Sequence, residues 1–293
     1  MRRQLAQRRR RIPGGAILLY HRVAEVPYDP ERLAITPELF DRQMAAVAAR
    51  YEVVALTELA RRLRAGEPVS RTVCVTFDDG YADNLHVAAP ILERHRLEAT
   101  VFVATANVAR PGEFWWDELK RLVPDAAAYR RTSVALMRAS LDERERLMDS
   151  LRRAAGDPEA GQAGQPLAVT VDELRRLDAH RCVDLGAHTH DHLLLAVQSE
   201  EVQRDQMVRS KTLLEGWLGR EVTALAYPYG APGIAFTRRT RALAREAGFV
   251  TIAENFAAPV LPRTAPAALP RLLVGSWEPD RLLGVVDRLI GVR

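Results

Sequence analysis

Short runs of consecutive apolar residues alternate along the chain with longer stretches in which apolar positions recur every three to four residues. The first pattern fits strands buried on both faces, and the second fits helices with one apolar stripe. Strands are predicted at 15–20, 52–55, 72–77, 99–104, 182–187, 223–227, 248–253 and 269–274. Helices are predicted between them at about 36–50, 57–65, 84–96, 141–154, 171–180, 200–218, 236–247 and 279–290. Thr170 with Glu173 fits a capping box, Thr57 and Asp83 are candidate N-caps, and Gly248 stands where a helix should stop. Strands that are apolar throughout, each followed by a helix, predict a mainly parallel sheet covered on both faces. In 293 residues this repetition favours one α/β fold, a distorted (β/α) barrel of seven to eight mainly parallel strands, over two smaller domains.

Two stretches break the alternation. Residues 1–13 form a basic tail, with six arginines in the first eleven positions. Without those six, the formal charge of +4 becomes 36 basic against 38 acidic residues, so the folded part has no basic excess. That argues against a nucleic-acid partner and leaves weak contact of the tail with an anionic membrane surface as a candidate role. Residues from about 107 to 169 lie between two barrel units and read as an insertion, with a flexible Gly-, Pro- and Gln-rich loop at 155–168. The expected plan is therefore a tail at 1–13 and a barrel at 14–293 that carries this insertion.

A composition of 47% hydrophobic and 27% charged residues excludes a disordered chain. No apolar run approaches the roughly 18 residues needed to cross a bilayer. The run at 16–20 is too short and wrongly flanked for a signal peptide, so a cytoplasmic location is expected, and the tail is either a frayed, soluble terminus or a point of membrane association. Cys74 and Cys182 sit among apolar residues and are expected to be buried free thiols.

Three strand ends carry candidate chemistry. Thr76-Phe77-Asp78-Asp79-Gly80 closes an apolar run. Neighbouring side chains on a strand point to opposite faces, so both carboxylates reach one site only where the strand gives way to a loop, which Gly80 permits. Catalytic groups gather at the C-terminal ends of barrel strands. Of two paired acids, one can stay ionised beside a cation while the other acts as a base. The same residues also read as a plain Asp-Gly turn. His188, His190 and His192 fall within five residues after another apolar run, a density of imidazoles that suits zinc or a related divalent ion. Tyr227-Pro228-Tyr229-Gly230 is either a tight turn or a source of backbone N–H groups for an oxyanion. Phe114-Trp115-Trp116-Asp117 opens the insertion; its rings either stack on sugar or pack an inserted lid. His86, His95 and His180 read as ordinary helix residues.

In this order and spacing the three motifs resemble the polysaccharide deacetylase family, the family 4 carbohydrate esterases. Its signature is TFDDG, then H-[ST]-x-x-H, then a Pro-Tyr-Gly turn; here these stand at 76–80, 188–192 and 228–230. The resemblance covers about residues 14–105 and 170–275. It implies Asp78 as general base, Asp79, His188 and His192 as ligands of a divalent metal, zinc above others, and the Tyr229 N–H as an oxyanion donor. Tyr227, Pro228, Trp115 and Trp116 are the expected substrate contacts, and His190, at a variable position of the motif, is expected to be a neighbour.

Two positions depart from the family pattern. Ala226 stands where the family has an arginine that steers the base, and Arg271 is the candidate substitute, unless it makes only a surface salt bridge. No histidine follows His192 to serve as the general acid. His21, at the end of the first strand, is the candidate acid, as in the permuted branch that includes poly-N-acetylglucosamine deacetylases. In a closed barrel the first and last strands are neighbours, so the same spot is reachable from either end. The resemblance implies metal-dependent hydrolysis of N-acetyl groups from N-acetylhexosamine units of a polysaccharide or glycan precursor, with a carbohydrate as the partner. Hydrolysis of a non-sugar amide or cyclic C–N bond, and a metal-binding barrel without catalysis, remain open.

Overall fold

The computed structural model describes residues 14–110, 112–156 and 167–292. The predicted basic tail and the centre of the predicted 155–168 loop lie outside the described residues.

The strands in chain order are β1 (Ala16–Tyr20), β2 (Arg22–Val23), β3 (Ala34–Ile35), β4 (Glu52–Val53), β5 (Thr72–Phe77), β6 (Ala99–Val103), β7 (Val183–Ala187), β8 (Ala224–Ala226), β9 (Thr251–Glu254), β10 (Leu269–Pro270) and β11 (Leu272–Leu273). All but β2 and β3 form one parallel sheet in the order β10-β9-β8-β7-β6-β5-β1-β11, with β4 against the start of β5. One short segment closes the ring: Leu269 and Pro270 pair with β9, Leu272 pairs with Leu18 of β1, and only Arg271 lies between. Taken as one interrupted strand, β10 and β11 bring the total to eight parallel strands in a nearly closed barrel surrounded by helices, as the apolar runs predict.

Burial explains why β1, β5 and β6 are apolar on both faces. Alternate residues divide between two cores. Leu18, Val73, Val75, Val101, Leu185 and Leu225 pack outward against helices. Ile17, Cys74, Phe102, Ala224, Ala226, Ala253 and Leu269 fill the barrel interior. The small interior residues leave room at the mouth for the polar groups described below.

The helices match the amphipathic stretches in place but less well at their ends. The Thr170–Glu173 capping box is present, and Gly248, at φ 87°, follows the helix Arg238–Glu246 as expected. Thr57 and Asp83 are not N-caps: Ala55 precedes the helix Leu56–Ala65, and Asp83 makes no capping bond. Asp83 is drawn instead to Arg22, 2.9 Å away, and to the Val23 N–H, tying down the loop after β1. The predicted 84–96 helix begins as a wide turn over Asn84–Ala88 before the α-helix Ala89–His95.

The insertion holds two helices that the apolar periodicity missed, Trp115–Leu122 and Ala126–Arg138, beside the expected Leu141–Ala154. They build a small core of their own around Leu119, Tyr129, Leu136 and Met148. Cys74 is buried and Cys182 only half-buried; both are free. No helix among the described residues is long and apolar enough to cross a membrane.

Candidate active site

The strand alternation that fills the barrel also aims the functional side chains. On β5 the interior phase is Cys74, Thr76 and then Asp78, whose N–H continues the ladder to the Tyr20 carbonyl at 3.0 Å. Continued alternation would point Asp79 outward. Instead its backbone turns to φ 75° and Gly80 to φ 83°, which brings the second carboxylate round to the first. A Cβ at Gly80 would lie 3.0 Å from Val103 Cγ1, so glycine is favoured there by both conformation and space. Thr189, His192 and Tyr229 also sit at positive φ (63°, 51° and 61°), so strained backbone gathers around this mouth.

Asp79, His188 and His192 form a group able to hold a metal ion. Asp79 Oδ1 lies 3.6 Å from His188 Nε2 and 3.4 Å from His192 Nε2. Ligands about 2.0–2.2 Å from a tetrahedral ion sit roughly 3.4 Å apart, so the spacing fits. His188 Nδ1 donates to the Ala226 carbonyl at 2.8 Å, leaving the Nε2 lone pair facing Asp79. Asp79 Oδ1 is buried without a hydrogen-bond partner among the described residues. Burial, with the charges of Asp78, Asp117 and Glu31, pushes the Asp79 carboxyl well above its usual range, a cost that a cation would relieve. Burial holds both His188 and His192 below the usual imidazole range, so they are neutral, as ligands must be.

Arg271 is not a surface residue. It is fully buried and grips Asp78 with two bonds, Nη1 to Oδ1 at 2.6 Å and Nη2 to Oδ2 at 2.8 Å. It stands at the break between β10 and β11, so the segment that closes the barrel delivers it. Burial resists ionisation of Asp78, but the charge and hydrogen bonds of Arg271 outweigh it and hold the carboxyl below its ordinary range. Asp78 Oδ2 is 3.7 Å from His188 Nε2, beside the metal-ligand group.

His21 follows β1 on its interior phase, and its carbonyl is held by the Asn84 side-chain amide at 2.9 Å. Its Nδ1 has no partner among the described residues. Burial pushes the imidazole down from 6.5 to about 4, although the nearby Asp78 charge pulls the other way. His21 is therefore neutral at rest, which differs from the protonated acid that the resemblance implies.

In the 227–230 turn the Tyr229 ring packs edge-on against His192, with centroids 4.8 Å apart, and Pro228 is buried. Tyr227 does not line the site. It falls on the outward phase after Ala226, where its ring is buried against Phe236 at 4.3 Å among the helices. Trp116 is packed instead of presented: its indole N–H donates to the Tyr81 hydroxyl at 2.6 Å, and its ring rests on His192 at 4.7 Å. Tyr81 in turn donates to Asp117 at 2.7 Å. Trp115 borders a cleft beside His192. His190 turns away from the ligand group to Thr105, with Nδ1 2.8 Å from the hydroxyl. Sequence reading missed Tyr81, Asp117 and Arg144, although the run Asp79-Gly80-Tyr81 already places Tyr81 next to the site.

The polysaccharide deacetylase family model matches residues 65–252. Among curated proteins, YxkH of Bacillus subtilis (strain 168), named as an inferred polysaccharide deacetylase, is 21% identical over 164 residues; that alignment covers 56% of this chain and 39% of YxkH. The chain thus spans well under two thirds of the length of this relative. Among solved structures, the Streptococcus pyogenes deacetylase PplD superposes with a TM-score of 0.67 at 22% identity, covering 94% of this chain and 99% of that one. IcaB from Ammonifex degensii gives 0.63 at 22% identity, covering 94% and 96%. At these identities the likeness speaks for the fold, whereas the matched stretch, more than half of the chain, carries Asp78, Asp79, His188 and His192 but neither His21 nor Arg271. The chain belongs to the polysaccharide deacetylase family.

Proposed function

We propose that this protein hydrolyses N-acetyl groups from N-acetylhexosamine units of a glycan, with a divalent metal, zinc first among candidates, held by Asp79, His188 and His192. The observation that carries this reading is the pairing of two charge arrangements within 4 Å: a neutral-imidazole and carboxylate group spaced for a tetrahedral ion, and a carboxylate gripped by a buried arginine. When bound, the ion would polarise the acetyl carbonyl and acidify water.

The remaining work falls to the chain itself. Asp78, kept ionised and oriented by Arg271, takes the proton of the attacking water. The Tyr229 N–H, presented by the Pro228–Gly230 turn, donates to the oxygen on which negative charge develops. The amine leaves with a proton from His21. Because His21 is neutral at rest, it must first receive one, and Asp78, which gains the proton of the water, is the nearby source.

Acetate release from N-acetylglucosamine oligosaccharides tests the reading. Turnover that rises with added zinc and stops with a chelator supports it. Tight metal binding without turnover on any acetylated sugar would leave the non-catalytic barrel as the better account.

A further inference from the structure

The insertion helix Leu141–Ala154, together with Trp115 and Trp116, walls a cleft of about 320 Å³ whose lining includes His192. Most charges in this wall are spent internally. Arg152 holds Glu118 through bonds of 2.6 and 2.7 Å, Glu113 accepts from Arg121 at 2.6 Å, and Asp191 accepts from Gln206 at 2.7 Å. Arg110, a second basic residue of the lining, is an exposed side chain 3.7 Å from Asp191.

Arg144 differs. It is only 4% exposed, yet its one hydrogen bond among the described residues runs to the backbone carbonyl of Asp191, at 2.8 Å, and it makes no ion pair with a carboxylate there. The charges of Asp191 and Glu145 reach Arg144 without a contact ion pair among the described residues, and a guanidinium taken out of water in that state is costly and free to receive an anion. Trp115 adds a second unspent donor to the same wall, since its buried indole Nε1 has no partner among the described residues. Arg144 and Trp115 also face each other, with the guanidinium carbon 5.9 Å from the ring centre. A planar guanidinium beside one further N–H matches the oxygens of a carboxylate or phosphate, and binds a neutral hydroxyl more weakly.

We propose that Arg144 and Trp115 form a subsite for an anionic group, a carboxylate or phosphate, carried by the substrate next to the acetamido sugar. The enzyme is then selective for acidic glycans, an inference that rests on the deacetylase reading above. Glu145, exposed on the same lining, opposes the anion and sets a limit on this preference.

The test uses the full chain with matched oligosaccharides: one with a uronic-acid neighbour to the acetylated sugar, one with a phosphate-bearing neighbour, and one with the uronate reduced to a neutral sugar. Acetate release and calorimetric binding are both measured. The expected result is a kcat/KM and an affinity about 10- to 100-fold higher for at least one acidic form. Arg144→Gln, which keeps a donor for the Asp191 carbonyl, should erase that preference, read as a larger loss on the acidic forms than on the neutral one. Trp115→Phe should weaken it, and Glu145→Gln should increase it. Equal binding of all three ligands by the unaltered protein, or equal losses on acidic and neutral forms in Arg144→Gln and Trp115→Phe, would overturn the proposal. Absence of turnover on every substrate would sink the deacetylase reading, while the binding arm still decides the anion site.

Discussion

At the residue scale, Asp78 and Asp79 are adjacent in sequence and opposite in environment. Among the described residues Asp79 has no Lys or Arg in contact and faces two imidazoles; Asp78 has Arg271. The same substitution should therefore fail in two ways. Asp79→Asn should lower metal affinity, whereas Asp78→Asn should keep the metal and lose about 10²–10⁴ in rate, the usual contribution of a positioned base. Metal analysis after gel filtration, beside acetate release, separates the two; equal metal loss in both would mean the roles are divided wrongly. Arg271→Met strands a buried carboxylate and should cost about 3–5 kcal/mol of stability. Adding Asp78→Asn should recover much of that loss in chemical denaturation, because no uncompensated charge is then left.

His21 asks for a finer measurement. Its pKa is lowered from 6.5 to about 4, so the unfolded chain takes up a proton before the folded one does as pH falls. The neutral imidazole thus contributes stability that is fully present above about pH 6.5 and is lost as pH drops toward 4. The metal-free protein should lose Tm over this window relative to His21→Asn. A difference between the two that stays constant with pH would show that His21 is not held neutral.

At the element scale, the strand ends decide which residues meet. The Pro228–Gly230 turn is locked by Gly230, at φ 59°, where a Cβ would stand 2.5 Å from the Asn255 Cβ and 2.7 Å from its backbone nitrogen. Gly230→Ala should destabilise the protein by about 1–3 kcal/mol through this strain and, by moving the Tyr229 N–H, lower kcat more than it raises KM. A variant with normal kcat would remove the turn from the oxyanion role. The Tyr227 assignment failed at this same scale. Period-two alternation from Ala224 and Ala226 sends Tyr227 outward, so the information lay in the sequence, but a motif reading that ignores strand phase places the whole turn in the site. The missed helices of the insertion have another cause. Ala126–Arg138 buries only Tyr129 and Leu136 against its own small core, so its apolar stripe is too sparse to stand out.

At the scale of the whole molecule, metal and fold are linked. A ligand that binds only the folded chain stabilises it by about 2.7 kcal/mol at a hundredfold excess over its Kd. Zinc should therefore raise Tm in the unaltered protein and leave it unchanged in His188→Ala, which a thermal scan at fixed zinc concentration reads directly. A rise of the same size in the variant would place the bound ion elsewhere.

The barrel and its strand-end motifs were legible in the chain because both are local facts. Continuous apolar runs specify strands covered on both faces, and Thr76–Gly80 and His188–His192 each hold their functional groups within a few residues. The pairing of Asp78 with Arg271 is different in kind. The two are 193 positions apart, and the sequence offers Arg271 as a candidate partner of the base without excluding a mere surface salt bridge. Only closure of the ring brings β11 beside β1 and turns Arg271 inward at the break after β10. Likewise, neutral His21 and an Arg144 with no ion pair among the described residues are consequences of burial, which a sequence does not state: each depends on how much protein from distant elements surrounds the group and which charges come with it. Local periodicity determined what the strands are and which residues crown them, and three-dimensional closure decided which of those residues act on one another.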